Sequence, residues 1–215
     1  MMSSETRRRF FHVSEVVFQQ VLAVFVLLIL WEVFKFNNLN SLHTWHVIMC
    51  VLGVALCMAE GVQFYRKETI VTFGSTRESK VFGHGAVMGL AFIMILIGVS
   101  LKIQDKINNH RDHFATTHSQ LGLSTWIIAF IAVLGGLASA NILRFSSIGK
   151  PRLIKLIHLL IGVTAYILGI VTLGYGIAYL GVPENGRTFL IVLMAIYVAY
   201  SLIGPCLSVY NFIKD

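Results

Sequence analysis

The stretch FGHGAVMGL, residues 82–90, places a histidine inside a segment that is otherwise suited to lipid. From Val81 to Leu101 the chain carries no other ionisable side chain. An ionisable side chain within a membrane span is costly and is therefore a candidate for function. A single histidine is weak evidence, so the interpretation depends on whether His84 has companions.

The composition is that of a membrane protein. The chain has 215 residues, of which 56% are hydrophobic and 13% charged, and its mean hydropathy is +0.77. In soluble domains roughly a quarter of the residues are charged. A helix that spans a membrane needs about 20 apolar residues. Six stretches of the sequence are long and apolar enough for such a helix. In none of them do apolar and polar residues alternate with a period of two, which disfavours a β-barrel. We therefore predict a single-domain all-α membrane protein, residues 1–215, with spans near 14–34, 45–65, 82–101, 119–140, 154–180 and 188–210.

The net charge of +7 follows the predicted topology. With the N-terminus in the cytosol, twelve of the seventeen cations fall in inner segments. This is the positive-inside bias of multi-pass proteins, so we expect both termini in the cytosol and contact with membrane lipid, and no binding to nucleic acid. The five outer cations are Lys35, Lys102, Lys106, Arg111 and Arg187.

Four of the eight histidines stand near the start of four successive spans, the second to the fifth. Consecutive short-loop helices run antiparallel, so His46 and His118 should lie at the outer face, and His84 and His158 at the cytosolic face. Helices two to five then form an antiparallel bundle with two facing imidazoles at each of two depths. A helix rise of about 1.5 Å per residue puts the two pairs on the order of 20 Å apart.

Haem iron accepts two axial histidines, and such a pair suits electron transfer because no coordination position stays open. Zinc is a poorer fit, since it prefers four ligands in one tetrahedron. A multispan ion or proton-coupled transporter using the histidines is the alternative. Glu60, expected to point broadly the same way as His46, is the only obvious acid for such a relay. It could hydrogen-bond near the inner site, or it could simply lie at the inner headgroup boundary. His43 is a second candidate ligand, but His46 begins the apolar run and has the better spacing.

The four histidines, the six spans and the inside termini resemble the cytochrome b561 family, and in particular its short transmembrane reductases. The resemblance covers about residues 15–210, with the haem-binding core at about 45–180. It implies two b-type haems, one held by His46 and His118 and the other by His84 and His158. It further implies a reductase that passes single electrons from cytosolic ascorbate to ferric iron or monodehydroascorbate across the membrane. We expect an endomembrane, the endoplasmic reticulum or a vesicle, rather than the plasma membrane.

Ascorbate-using members of the family are similar at SLHSWLG, where this chain reads TTHSQLG, residues 116–122, with Gln120 in place of tryptophan. At the inner end of the second span, where the family has an aromatic-and-arginine stretch, this chain keeps Tyr65 and Arg66 and lacks much of the rest. These departures leave the histidines unchanged.

Polar side chains at the two faces are candidate substrate sites. At the inner face, cations near His84 and His158 could bind ascorbate or haem propionates through charge-assisted contacts, or could simply be loop charge of the positive-inside bias. They are Arg77, Lys80, Arg152 and Lys155. At the outer face, His110 and His113 could hold an electron acceptor, although polar loops often have this composition. Each haem site can be built within one chain, so a homodimer is compatible with the chemistry but not required by it.

Overall fold

Six long helices form the part of the chain that the structure, a computed structural model, describes: residues 4–36, 38–64, 75–141 and 150–214. Within these ranges there is no strand, and all six helices are long and apolar enough to cross a membrane. The predicted all-α architecture with six spans is confirmed. The helices are α1 (Ser4–Phe36), α2 (Leu42–Gln63), α3 (Arg77–Asn108), α4 (Thr117–Ala140), α5 (Pro151–Ile177) and α6 (Glu184–Lys214).

Several helices extend beyond the apolar windows that predict them, and α3 does so at both ends. Hydropathy marks the part of a helix that enters lipid, whereas capping decides where the helix begins. The Thr76 hydroxyl accepts a hydrogen bond from the backbone N–H of Ser79 (3.2 Å), which starts α3 five residues before the window. His84 therefore lies two turns inside α3 rather than in its first turn. At the other end, the last two turns of α3 carry Lys102, Asp105 and Lys106.

Helices α2 to α5 form a ring of neighbours, in which α2 packs on α3, α3 on α4, α4 on α5 and α5 on α2. Helices α1 and α6 lie outside this ring and pack on each other and against α2 and α5. Aromatic rings join these two outer helices: Phe18 stacks on Tyr200 at 5.0 Å between ring centroids, and Phe25 lies 5.2 Å from Tyr197. The bundle therefore has the expected arrangement, with α2 opposite α4 and α3 opposite α5.

The middle of α2 is a π-helix, Val51–Met58. A π-helical segment hydrogen-bonds from residue i to i+5 and so accommodates an extra residue within a helix. This changes which side chains face α3 at the inner end. Gly61 meets α3 there, while Glu60 accepts a hydrogen bond from Gln19 of α1 (3.1 Å). The expectation that Glu60 points the same way as His46, based on a regular α-helix, is therefore wrong.

Candidate functional site

The structure brings the four histidines together in two pairs. The rings of His46 (α2) and His118 (α4) have centroids 6.2 Å apart and planes at 87°. The rings of His84 (α3) and His158 (α5) have centroids 6.2 Å apart and planes at 89°. We call the first the outer pair and the second the inner pair, after the predicted topology. The pairs thus join opposite helices of the ring.

Each of the four imidazoles is held by the backbone of another helix in the same way. Its Nδ1 lies within hydrogen-bond distance of a main-chain carbonyl oxygen, and because a carbonyl can only accept, Nδ1 must carry the proton. In the neutral ring the lone pair then belongs to Nε2, which is the arrangement that metal-ligating histidines show. The four contacts are His46 to Gly98 (2.9 Å), His84 to Gly61 (2.8 Å), His118 to Thr172 (3.0 Å) and His158 to Ala132 (3.1 Å).

The same contacts give the separation between the two pairs. On α3, Gly98 at the outer level lies fourteen residues after His84 at the inner level. On α5, Thr172 at the outer level lies fourteen residues after His158. Fourteen helical residues rise about 21 Å. On α2 the two levels are fifteen residues apart, His46 to Gly61, and the π-helical segment accommodates the extra residue.

A cavity of about 720 Å³ opens beside the outer pair. Apolar side chains of four helices line its deeper part, among them Val54, Ile95, Leu123 and Leu173. Gly122, one turn after His118, contributes open space, because a Cβ there would touch only Thr172, at 3.6 Å. The outer pair is therefore accessible to a large apolar group.

The comparisons with known proteins agree with this arrangement of histidines. Residues 45–182 match the family described as Eukaryotic cytochrome b561, which is well over half of the chain. The chain belongs to the cytochrome b561 family. Membership implies a helical membrane bundle that binds haem b and takes part in electron transport, and it makes this chain an integral multi-pass membrane protein.

The curated relatives are named as reductases. The chain is 28% identical over 137 residues to "Probable transmembrane reductase CYB561D1" of Mus musculus, a match that covers 64% of this chain and 59% of that protein. It is 27% identical over 143 residues to "Transmembrane reductase CYB561D2" of Homo sapiens, covering 66% and 63%. The bovine protein of the latter name is 25% identical over 180 residues, covering 81% and 80%. The chain thus spans about three fifths of the length of the first two relatives.

The two pairs fit the haem that cytochrome b561 membership implies. An atom bound by both Nε2 nitrogens at about 2 Å would place the two ring centroids roughly 6 Å apart, and both pairs show 6.2 Å. A planar macrocycle also needs space beside each imidazole. Gly162, one turn after His158, provides it at the inner pair, since a Cβ there would meet nothing within 4 Å. Gly122 does the same at the outer pair.

The predicted inner-face cations lie where α3 and α5 begin. Arg77 is exposed at the start of α3, and Lys80 is half-buried one turn before His84. Lys155 is exposed on α5. Arg152 also contacts α6, because its Nη2 donates to the Phe212 carbonyl (3.2 Å) and its guanidinium lies 4.8 Å from the centroid of that ring. Tyr65 and Arg66 lie outside the described residues.

The predicted outer-face histidines both lie exposed in the loop between α3 and α4. His113 borders the cavity beside the outer pair and packs against Phe114, with ring centroids 6.2 Å apart. His110 is not among the described residues that border this cavity. Its backbone is in the left-handed region, with φ of 50°.

Sequence reasoning missed a polar group beside the outer pair. Lys102 Nζ lies 2.6 Å from Asp105 Oδ2 and 3.1 Å from His43 Nδ1, and the His43 ring stacks on that of His46 at 6.1 Å. The signal was the spacing of Lys102 and Asp105, three residues apart, which is one helical turn. In the sequence Lys102 stands just beyond the apolar run that ends at Leu101, which indicates only an outer cation and not a contact with His43. His43 is engaged by Lys102, which favours His46 as the ligand.

Proposed function

We propose that the chain is a transmembrane di-haem oxidoreductase that passes single electrons from a cytosolic reductant, ascorbate, to an acceptor on the opposite side, ferric iron or monodehydroascorbate. The observation that carries the proposal is the two-level arrangement of the histidine pairs, each with rings 6.2 Å apart. His84 and His158 would hold the inner haem b, and His46 and His118 the outer one. We treat residues 1–215 as one such domain, with a haem-binding core at about 45–180.

The protein itself contributes ligation, orientation and a dry interior. Bound haem supplies the one-electron redox change. The four carbonyl contacts fix each ring with Nδ1 as the donor, so that Nε2 would be the nitrogen that binds the iron. With both axial positions filled by imidazole, the arrangement favours electron transfer over oxygen chemistry. The rise of about 21 Å between the levels divides the route across the membrane into steps.

Ascorbate is an anion, and the inner face carries the cations that would receive it. Lys80 stands one turn before His84, with Arg77 beside it, and Lys155 stands three residues before His158. These side chains, with Arg152, would bind ascorbate or the haem propionates. With this orientation both termini would lie in the cytosol, and we propose an endomembrane as the location.

The acceptor would dock at the opposite face, at the mouth of the cavity beside the outer pair. His113 borders this cavity and is the better placed of the two loop histidines, whereas His110 lies in the same loop away from the cavity. Each haem site could be built within one chain, so a homodimer is compatible with the proposal but not required by it.

Proteoliposomes test the proposal. Vesicles containing the holoprotein are loaded with ascorbate, washed and given external ferric citrate, and ferrous iron is measured with a colorimetric chelator. We expect reduction that is lost in His84→Ala and in His46→Ala and retained in His12→Ala, an exposed histidine outside both pairs. Equal reduction in protein-free vesicles, or full activity in His84→Ala, would contradict the proposal.

A further inference from the structure

The C-terminal end of α6 contacts the start of α5 through one pair of residues. Arg152 is the second residue of α5, after Pro151, and Phe212 lies in the last turn of α6. Arg152 Nη2 donates to the Phe212 carbonyl oxygen at 3.2 Å, and the guanidinium carbon lies 4.8 Å from the centroid of the Phe212 ring. The main chain and the ring of one residue therefore hold the same guanidinium.

Each of these two contacts has a physical reason. The last four carbonyl groups of a helix lack a partner within that helix, and the Phe212 carbonyl is one of them because α6 ends at Lys214. The partial negative charge at a helix C-terminus attracts a cation. The face of an aromatic ring attracts a guanidinium through its quadrupole. The end of α6 is thus suited to hold a cation at this point.

A guanidinium that is held in place binds an anion better than a mobile one. Arg152 is exposed, and an exposed arginine side chain loses rotamer freedom when a ligand fixes it. The guanidinium presents five N–H donors in a planar fork, and the Phe212 carbonyl takes one of them. Contacts that restrict a side chain before the ligand arrives lower the entropic cost of binding. The Phe212 ring would therefore act on an anion through Arg152.

Phe212 lies outside the segment that matches the cytochrome b561 family. That match covers residues 45–182 and ends before α6 begins. Helix α6 also lies outside the ring of helices that carries the histidine pairs. A contribution of α6 to donor binding would therefore be an addition to the haem-binding core.

We propose that Phe212 is a positioning residue for the cytosolic donor site, where it holds the Arg152 guanidinium in place to bind the oxygen atoms of a small organic anion. The inference rests on the proposed function, in which Arg152 is one of the cations that would bind ascorbate. Phe212 contacts Arg152 and lies on neither helix of the inner pair. Its effect therefore falls on the affinity for the donor rather than on the transfer of electrons between haems.

The test is the dependence of haem reduction on ascorbate concentration, measured anaerobically with the holoprotein in a stopped-flow instrument. Phe212→Leu removes the ring but keeps an apolar side chain and the main-chain carbonyl. Because cation–π contacts at exposed sites correspond to a factor of about two to five in affinity, we expect the half-saturating ascorbate concentration to rise by that factor. The maximal rate should stay near the parental value.

Two further variants control for the loss of the ring. Phe212→Tyr keeps an aromatic ring and should show the parental half-saturating concentration. Ile213→Leu is the matched control, because Ile213 is the next residue of α6 and is 77% exposed. It should change neither the half-saturating concentration nor the maximal rate, and a rise equal to that of Phe212→Leu would contradict the proposal.

A double-mutant cycle shows whether Phe212 acts through Arg152. Arg152→Gln should raise the half-saturating concentration, and Phe212→Leu added to it should cause no further rise. An equal rise from Phe212→Leu with and without Arg152, or no rise in Phe212→Leu, would overturn the proposal. Loss of haem from both ring-free variants, Phe212→Leu and Phe212→Met, would also overturn it, because Phe212 would then serve the packing of the bundle. A parent protein whose haem is reduced by dithionite but not by ascorbate would instead refute the proposed donor before any variant is compared.

Discussion

Gly98→Ala should weaken the outer haem site without disturbing the inner one. The Gly98 carbonyl accepts the Nδ1 proton of His46 at 2.9 Å. A Cβ at this position would lie 2.8 Å from Cys50 Sγ and 3.3 Å from the His46 carbonyl oxygen, so α2 and α3 would have to separate. The Cys50 sulfur is itself 3.6 Å from His46 Nδ1. The added methyl group therefore pushes on the residues that orient the outer imidazole.

The size of the effect follows from two opposing contributions. Replacing glycine by alanine within a helix increases the free energy of unfolding by about 0.5–1 kcal/mol. Overpacking decreases it by about 1–3 kcal/mol. Loss of a partner that orients a metal-ligating histidine typically weakens metal affinity about 10–100-fold. We therefore expect a small net change in the free energy of unfolding and a clear loss of outer haem from Gly98→Ala.

The assay is haem content per chain by pyridine haemochrome, with low-spin electron paramagnetic resonance signals to separate the two haems. Gly89→Ala is the matched control on α3, because a Cβ at Gly89 would meet nothing within 4 Å. The double variant Gly98→Ala, Cys50→Ala removes the closest obstacle and should recover part of the outer haem. Unaltered outer haem in Gly98→Ala, or a double variant that is no better than the single one, would refute this reasoning.

Three further predictions concern other parts of the molecule. His84→Gln should remove the inner haem and leave the outer one, which haem analysis would show as about half the parental content; retention of both would argue against His84 as a ligand. Lys80→Ala should slow haem reduction by ascorbate in stopped-flow experiments without removing haem, and unchanged kinetics would exclude Lys80 from the donor site. Gln19→Leu should destabilise the protein by about 1–3 kcal/mol, because it removes the donor to the half-buried Glu60 carboxylate. Thermal unfolding in detergent measures the last effect, and an unchanged midpoint would contradict it.

Much of the fold could be predicted from the sequence because lipid imposes a simple pattern. Six apolar windows gave six helices, and antiparallel succession placed His46 opposite His118 and His84 opposite His158. The resemblance to the cytochrome b561 family is likewise confirmed. The haem ligands and the substrate sites stay predictions.

Other features lay beyond the sequence. The π-helical segment of α2 has no signature that hydropathy can reveal, and it turns Glu60 toward α1. Helix α3 also continues past its apolar window to Asn108, and Lys102 and Asp105 in this extension border the outer cavity. The carbonyl partners of the histidines depend on how closely neighbouring helices approach, which only the packed structure shows.

We propose that the chain holds two haems between its two histidine pairs. The most direct test is the visible absorption spectrum of the protein purified from haem-supplied membranes, recorded oxidised, then with ascorbate, then with dithionite. We expect sharp low-spin b-type bands, about two haems per chain, and reduction by ascorbate. If the bands of reduced haem appear only with dithionite, the protein contains haem but ascorbate is not its electron donor. A protein purified without haem would contradict the proposal of two haems. It would favour the alternative, in which the four histidines serve an ion or proton-coupled transporter.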